Sequence, residues 1–402
     1  MNNKLIFFIG LMMLSSFSSF FLVTTLHLPC LIELFLLPLW FYKRQSISLP
    51  FRDMMMLVFF ILFGTFIGLL NPIFSLDEIL QMSRCFFLGG LGFVLLKNNE
   101  LFASKDKLIA LTFGAFMGDL LNAYISLKMM LGSVEDREYA IDINIILSIL
   151  WAILIVFYKR SEWLVLLLVL VPMLCFLSVS RGISTFFILG ITLAFIFKTL
   201  KSPSKIVLSI VFLTFAFISL SYIYEKSEDA VRAMSPSMHF RLYTKTKNYG
   251  KSRADDGRIA PYIWLKNHLD YYALPRGFQG KKFVKENNDD LIPVKNVWDS
   301  AYLEVLYTFG LLPFLVILVI YLYKLYQMFI YYQRCGDPIF AIAIVMFLLL
   351  LIEHFFGYGL YRSPFTVFSY GALLGFIWRI SERPETVYGT SIDIDDNENY
   401  IE

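Results

Sequence analysis

The sequence predicts an all-α polytopic membrane protein, a helical bundle of about twelve transmembrane helices with one large periplasmic loop. Of its 402 residues, 58% are hydrophobic and only 17% are charged, whereas soluble domains carry roughly 25% charged residues. The chain divides into twelve apolar runs of about the length that crosses a bilayer. Lys and Arg concentrate in alternate connections between these runs. This composition excludes a soluble globular enzyme and a disordered or disulfide-stapled chain.

Each apolar run is predicted to form one spanning helix, because about 20 mostly apolar residues cross the hydrocarbon core. The first run lacks a small-residue cleavage site and another run follows at once, so we expect it to be retained and not removed as a signal peptide. The predicted spans are residues 5–24, 26–42, 54–71, 79–96, 108–129, 141–158, 163–179, 183–199, 206–224, 302–323, 339–357 and 363–379.

The distribution of basic residues predicts the orientation of the chain. One set of short connections carries sixteen Lys and Arg residues, and the opposite set carries three, Arg137, Arg181 and Arg362. Because short basic loops stay on the cytoplasmic side, both termini are predicted to be cytoplasmic.

These spans give four regions. Residues 1–224 hold the first nine spans, 225–301 form the periplasmic loop, 302–379 hold the last three spans, and 380–402 form an acidic cytoplasmic tail. The loop carries fourteen basic and ten acidic residues, and long translocated loops escape the positive-inside rule. The four cysteines and four histidines of the chain have no metal-ligand spacing, so we expect no metal and no cofactor. The net charge of +3 does not indicate a polyanionic partner, so we expect no nucleic acid.

Two arginines near the spans are candidate anion-binding residues. Arg181 follows Ser180 between two apolar runs, where helix N–H groups and a guanidinium favour phosphate; the alternative is an Arg that snorkels to lipid headgroups. Arg84 falls inside the fourth span, where an unpaired charge costs several kcal/mol. It is either functional or paired with Asp119, which shares a helix face with Asn122.

Two further arginines lie in the large loop. Arg258 would begin a short surface helix, and Arg276 lies in the turn LPRGFQG. Two guanidinium groups at a membrane surface can hold a diphosphate bidentately. The alternative is a solvated basic loop with Asp–Arg pairs.

Carboxylates near the loop ends are the candidates for proton transfer. Asp299 or Ser300 is the predicted N-cap of the tenth span, and capping alone explains an Asp at this position. A carboxylate beside aromatic residues is also suited to act as a general base near a sugar. Glu353 and His354 lie near the outer end of the eleventh span, where a buried carboxylate paired with Arg362 is the simplest account.

Three motifs follow one another along the chain. They are SVSRGISTFFILG, then LPRGFQG with its preceding GR, Trp and Asn residues, and then DSAYLEVLYTFGLL. With the number of spans and the late loop, the chain resembles the O-antigen polymerase and ligase superfamily of bacterial inner-membrane glycosyltransferases. The resemblance covers nearly the whole chain and is mainly architectural. Asp299 and Ser300 stand where the ligase branch typically has a His-Asn pair, which favours the polymerase branch.

The resemblance implies a metal-independent, inverting transfer of glycan from an undecaprenyl-diphosphate donor onto a lipid-linked repeat unit, in the biosynthesis of lipopolysaccharide or a related surface polysaccharide. Arg84, Arg181, Arg258 and Arg276 match arginines that hold the diphosphate, and Asp299 is the expected base. A chain-length regulator protein is an expected partner. The alternatives are a ligase that attaches finished chains to lipid A-core and a flippase or other transporter of lipid-linked oligosaccharides. Transporters usually carry paired half-repeats, which this lopsided chain lacks.

Overall fold

The protein is described here from a computed structural model. It describes residues 3–11, 49–70, 76–98, 105–131, 145–158, 161–178, 181–199, 226–234, 239, 273–278, 300–356 and 364–382, with single positions at 211, 214, 218 and 222. All regular secondary structure in these residues is helical.

The described residues form twelve helices in chain order. They are α1 (Asn3–Ile9), α2 (Phe51–Leu70), α3 (Leu76–Asn98), α4 (Lys105–Leu131), α5 (Ile145–Tyr158), α6 (Ser161–Leu177), α7 (Arg181–Thr199), α8 (Glu228–Met234), α9 (Ala301–Phe309), α10 (Leu311–Cys335), α11 (Pro338–Phe356) and α12 (Pro364–Glu382). The predicted all-α fold is therefore confirmed for this part of the chain.

Eight predicted spans correspond to α2–α7, α11 and α12. The helix α1 covers only the start of the first predicted span, the second lies outside the described residues, and the ninth has only four described positions. Within the described part of the chain, four helices are long and apolar enough to cross a membrane. They are α2, most of α3, most of α4, and α10.

The helix α5 lies at the centre of the bundle. Twelve of its fourteen residues are buried, and it packs against α4, α6, α7, α11 and α12. A helix that is apolar on every side can be stable only when protein or lipid surrounds it. Its Trp151 is fully buried and lies against Phe113 and Phe116 of α4, with ring centroids 5.3 and 4.5 Å away.

Two helices at the periphery have surfaces suited to lipid. On α2, Phe51 and Phe59 are 80% and 63% exposed, and on α10, Leu312 and Val319 are 73% and 64% exposed. Rows of exposed large apolar side chains are unfavourable in water and favourable in hydrocarbon. Together with the lengths of the four helices, these surfaces support a membrane environment for the protein.

The helices α3 and α12 form the most extensive pair among the described helices, and glycine makes their close approach possible. A Cβ atom at Gly371 would lie 1.8 Å from the carbonyl oxygen of Gly89, and one at Gly375 would lie 2.2 Å from that of Phe93. Lipid supplies little hydrophobic drive for helix association, so backbone contact at a Gly-x-x-x-Gly seam stabilises the pair through van der Waals packing.

The predicted tenth span is wrong as one continuous helix over residues 302–323. The helix α9 ends at Gly310, which has φ 82° and ψ 175°, and α10 begins at the next residue. This conformation is strained for any residue with a Cβ atom. The ring of Tyr302 lies 6.2 Å from that of Phe314, so the chain folds back at Gly310 and α9 packs beside the start of α10.

Charged residues at one end of the bundle meet across the helices. Lys97 pairs with Asp53 at 3.2 Å, and Lys324 lies 3.9 Å from Glu382 and 4.6 Å from the ring centroid of Trp378. These contacts join the start of α2 to the end of α3, and the middle of α10 to the end of α12. The helices α2 and α3 are therefore antiparallel.

We expect Gly375→Leu to destabilise the protein, because its side chain would displace α3 from α12. Overpacking of a filled site typically costs about 1–3 kcal/mol, and here the obstacle is backbone. The measurement is the apparent unfolding temperature in detergent. The control is Val316→Leu on the half-exposed face of α10; equal unfolding temperatures for both variants would contradict the tight seam.

Candidate functional site

A groove of about 520 Å³ runs along the α3–α12 pair, with α2 on one side and α10 on the other. Its volume falls within the range of roughly 300–1,000 Å³ that ligand sites usually have. The lining side chains are almost all apolar. Both flanking helices carry exposed apolar surfaces beside it, so lipid-like molecules can approach the groove from the side.

The groove follows the helix axes for several turns. It is lined from Phe86 to Lys97 on α3 and from Pro313 to Lys324 on α10. Eleven steps at 1.5 Å per residue give a length of roughly 16 Å. A groove of this shape suits an extended hydrocarbon chain better than a compact polar solute.

One end of the groove, the lysine end, contains Asp53, Lys97, Lys324 and Trp378. Asp53 accepts hydrogen bonds from Lys97 and, at 2.9 Å, from Asn98. Asp53 pairs with Lys97, and Glu382 lies close to Lys324. Because each carboxylate balances one lysine, these two pairs give the lysine end no excess positive charge.

The other end, the polar end, contains Tyr302, His354 and Tyr370. The His354 ring lies edge-on to both tyrosines, with centroid distances of 5.8 Å to Tyr302 and 5.4 Å to Tyr370. The Tyr370 hydroxyl donates a hydrogen bond to Oε1 of the neighbouring Glu353. Glu353 and His354 are only 6% and 7% exposed, so the groove ends at buried polar groups.

Two buried atoms at the polar end have no hydrogen-bond partner among the described residues. They are Nε2 of His354 and Oε2 of Glu353. A buried polar group without a partner costs about 1–3 kcal/mol, and a functional role is one of the reasons for which proteins retain such a group. The polar end therefore combines an apolar approach, aromatic rings and unused hydrogen-bonding capacity.

The start of α9 is fixed to α11 at this end. Ser300 is the N-cap of α9 and accepts a hydrogen bond from the Leu303 N–H, as the sequence predicted for Asp299 or Ser300. Its hydroxyl also donates to the carbonyl oxygen of His354 at 3.1 Å, and the Tyr302 hydroxyl donates to that of Leu351 at 3.1 Å. Side-chain hydrogen bonds thus hold α9 against the residues that form the polar end.

The other end of α9 holds the turn that contains Arg276. The Arg276 N–H donates to the carbonyl oxygen of Tyr307, and the Gly277 N–H donates to that of Thr308, both at 3.0 Å. Gly277 has φ 76°, a conformation that favours glycine. The backbone of Arg276 is therefore held at the C-terminal end of α9.

Phe278 anchors this turn in the bundle. Its N–H donates to the carbonyl oxygen of Gly64 at 2.8 Å, and its fully buried ring packs against Phe86 and Phe309. A Cβ atom at Gly64 would lie 2.6 Å from the Phe278 ring. The second glycine of this Gly-x-x-x-Gly pair, Gly68, lies against the Phe278 backbone in the same way.

The predicted diphosphate-binding residues are placed unequally by the structure. Arg276 lies beside α9, as described above, whereas Arg84 is half-buried on α3 and shares a helix face with Leu88, Leu91 and Leu95. These leucines belong to the central core and its border, on the side of α3 opposite the groove. The structure therefore separates Arg84 from the groove.

The remaining predicted residues are less completely described. Arg181 is the first residue of α7, which agrees with its predicted place at a helix N-terminus, but its side chain lies outside the described atoms. Arg258 and Asp299 lie outside the described residues. Asp119 is buried and accepts a hydrogen bond from Ser148 of α5 at 2.6 Å, so its carboxylate contributes to the packing of α4 against α5.

Sequence reasoning missed the polar end of the groove. It paired Glu353 with Arg362, a residue outside the described part of the chain, and it did not foresee the contact of Tyr370 with Glu353. Spacing along the chain gives no signal for a contact between α11 and α12. No group of three or more His, Cys, Asp or Glu side chains suited to a metal ion occurs among the residues that the structure describes.

No protein-family model matches this chain, and a comparison with curated proteins gives no match. The geometry of the groove and its two ends is therefore the basis for the function proposed below.

We expect Phe278→Ala to release the turn that contains Arg276, because the variant loses a fully buried ring. Truncation of a buried Phe costs about 3–5 kcal/mol. The measurement is the rate at which a cysteine introduced at Ala273 reacts with a membrane-impermeant maleimide, in a background without the native cysteines.

The matched control for this prediction is Leu274→Ala in the same turn, since Leu274 is 70% exposed. Faster labelling in Phe278→Ala than in Leu274→Ala supports the anchor. Equal labelling rates would show that Phe278 does not hold the turn.

Proposed function

We propose that this protein is a polysaccharide polymerase of the bacterial inner membrane. It transfers a growing glycan from undecaprenyl diphosphate onto the next lipid-linked repeat unit at the periplasmic face. The observation that carries the proposal is the apolar groove, which begins between two lipid-facing helices and ends at buried polar side chains. A substrate with a long hydrocarbon tail and a polar head would place its tail in the apolar groove and its head at the polar side chains.

The hydrocarbon part of the substrate explains the groove. A polyprenyl chain is flexible and apolar. Its burial against Phe60, Phe93 and Ile317 removes apolar surface from contact with water and breaks no hydrogen bond. The groove follows the helix axes, so the chain lies roughly parallel to lipid tails while the diphosphate stays at the membrane surface. Binding energy from this remote part of the substrate positions the reacting sugar.

Arginine charge explains the departure of the diphosphate. Breakage of the sugar–phosphate bond leaves undecaprenyl diphosphate with the electron pair, and fixed guanidinium groups stabilise that charge without a metal ion. Arg276 has its backbone fixed beside α9, and Arg181 and Arg258 complete the proposed diphosphate site. Arg84 lies on the far face of α3, so we leave it out of this site.

The proposed topology places this chemistry outside the cytoplasm. Twelve spans with both termini in the cytoplasm put residues 225–301, the polar end of the groove and the start of α7 at the periplasmic face. The contacts of Lys97 and Lys324 with Asp53 and Glu382 then lie at the cytoplasmic face, as the distribution of basic residues predicts. Asp299 directly precedes Ser300, so the candidate base of the sequence analysis also belongs to the periplasmic end.

Deletion of the gene separates this function from its two alternatives. A polymerase mutant should carry a single repeat unit on lipid A-core, a ligase mutant should carry no O-chain there, and a transport mutant should accumulate carrier on the cytoplasmic face. The measurement is electrophoresis of surface lipopolysaccharide together with analysis of the carrier lipids. Either of the last two results would contradict polymerisation.

In the complemented deletion strain, Arg181→Ala, Arg258→Ala and Arg276→Ala should each shorten the chains strongly, because each removes charge from the leaving diphosphate. Protein level in the membrane is the control for insertion. Normal chain length in all three variants would remove the proposed diphosphate site.

We also expect Ile317→Trp to reduce polymerisation about tenfold or more, because the indole fills the groove in the path of the polyprenyl chain. The matched control is Val319→Trp, two residues further along α10 and 64% exposed on the opposite face. The measurement is chain length at equal protein level. Equal activity of the two variants would exclude the groove as the binding site of the lipid tail.

A further inference from the structure

We infer that His354 at the polar end of the groove binds the attacking hydroxyl of the acceptor sugar and accepts its proton. This inference rests on the proposed polymerase function. It assigns the proton to a histidine that sequence analysis treated only as the neighbour of a structural carboxylate.

The imidazole of His354 is buried and has unused hydrogen-bonding capacity. His354 is 93% buried, since its exposed fraction is 7%, and its Nε2 atom has no hydrogen-bond partner among the described residues. The side chain also lines the groove. A ligand hydroxyl that reaches Nε2 from the groove would supply the hydrogen bond that this atom lacks and would offset the cost of its burial.

The surroundings of His354 favour a hydroxyl group over a phosphate. The carboxyl group of Glu353 is buried at this end, and that of Glu304 is buried in the first turn of α9. A carboxyl group offers a diphosphate no positive charge, whereas its oxygen atoms accept hydrogen bonds from sugar hydroxyls. The rings of Tyr302 and Tyr370 beside the imidazole add apolar surface of the kind that packs against sugar rings.

The length of α9 separates this site from the proposed diphosphate site. Ser300, at its start, contacts the His354 carbonyl, and Tyr307, near its end, holds the backbone of Arg276. Seven steps along a helix span roughly 10 Å. A sugar ring and the reach of an arginine side chain fit between these two points, so His354 and Arg276 can flank one anomeric carbon from opposite ends of α9.

The proposed glycan transfer accounts for each bond, the electron pair and the proton. The acceptor oxygen attacks the anomeric carbon, the bond from this carbon to the diphosphate oxygen breaks, and its electron pair leaves with undecaprenyl diphosphate. The hydroxyl proton passes to Nε2 of His354 and is released to water after the product leaves. Glu353 and Tyr370 act as positioning residues, because their hydrogen bond joins α11 to α12 and the Tyr370 ring contacts the imidazole.

Two substitutions of His354 separate proton transfer from packing. His354→Phe keeps an aromatic ring between Tyr302 and Tyr370 but has no nitrogen, whereas His354→Gln keeps a polar group and loses the ring. The experiment measures elongation of synthetic undecaprenyl-diphosphate-linked repeat units by the full chain in nanodiscs. Loss of a general base reduces rates by about 10²–10⁴-fold, so we expect this loss in both variants, with donor binding unchanged.

Tyr332→Phe is the control for the loss of one partly buried tyrosine hydrogen bond. Its hydroxyl donates to the carbonyl oxygen of Phe197 at 2.8 Å, outside the groove, so this variant should elongate chains like the wild type. Tyr370→Phe should lose activity, but less than His354→Phe, because it weakens only the positioning of the imidazole. Monodisperse elution from a sizing column confirms that each variant is folded.

The outcomes distinguish failure of the inference from failure of the function. Wild-type elongation together with near-normal activity of His354→Phe would overturn the assignment to His354 and leave the polymerase in place. The same result with an inactive Asp299→Asn would identify Asp299 as the base. A wild-type protein that does not elongate lipid-linked repeat units would overturn both proposals.

Discussion

The close approach of α3 and α12 is the constraint on which the rest of the structure depends. Carbonyl oxygens of α3 occupy the space that a side chain at Gly371 or Gly375 would need. In a membrane this contact replaces the hydrophobic drive that assembles soluble bundles. Because Gly89 and Gly371 also line the groove, the seam forms its floor, and α2 and α10 stand apart on either side.

A short helix that lies beside this seam organises the polar end. Gly310 ends α9 in a backbone conformation that requires glycine and lets α10 start in a new direction. Hydrogen bonds from Ser300 and Tyr302 fix the start of α9 to α11, and the turn of Arg276 is fixed at its end. Phe278, inserted against α2, joins this assembly to the side of the groove.

This arrangement suits the proposed substrate, a lipid-linked sugar. The tail must stay in an apolar environment while a charged diphosphate and several hydroxyl groups react nearby. Low surrounding polarity strengthens the attraction between a guanidinium and a diphosphate, and it equally penalises unused polar atoms. Buried polar atoms such as Nε2 of His354 and Oε2 of Glu353 are therefore informative, because a ligand that supplies their hydrogen bonds removes the cost of their burial.

The sequence by itself determined the helical class, the approximate limits of most helices and a cap at Asp299 or Ser300, because hydrophobic runs and capping residues act over a few neighbouring positions. It also identified Arg276 as lying in a turn. Tertiary structure alone decided that α9 folds back at Gly310, that Arg84 faces away from the groove, and that Tyr370 contacts Glu353. These features depend on which helices meet and on what each meeting leaves buried, and contacts between residues far apart in the chain leave no periodic signal in its sequence.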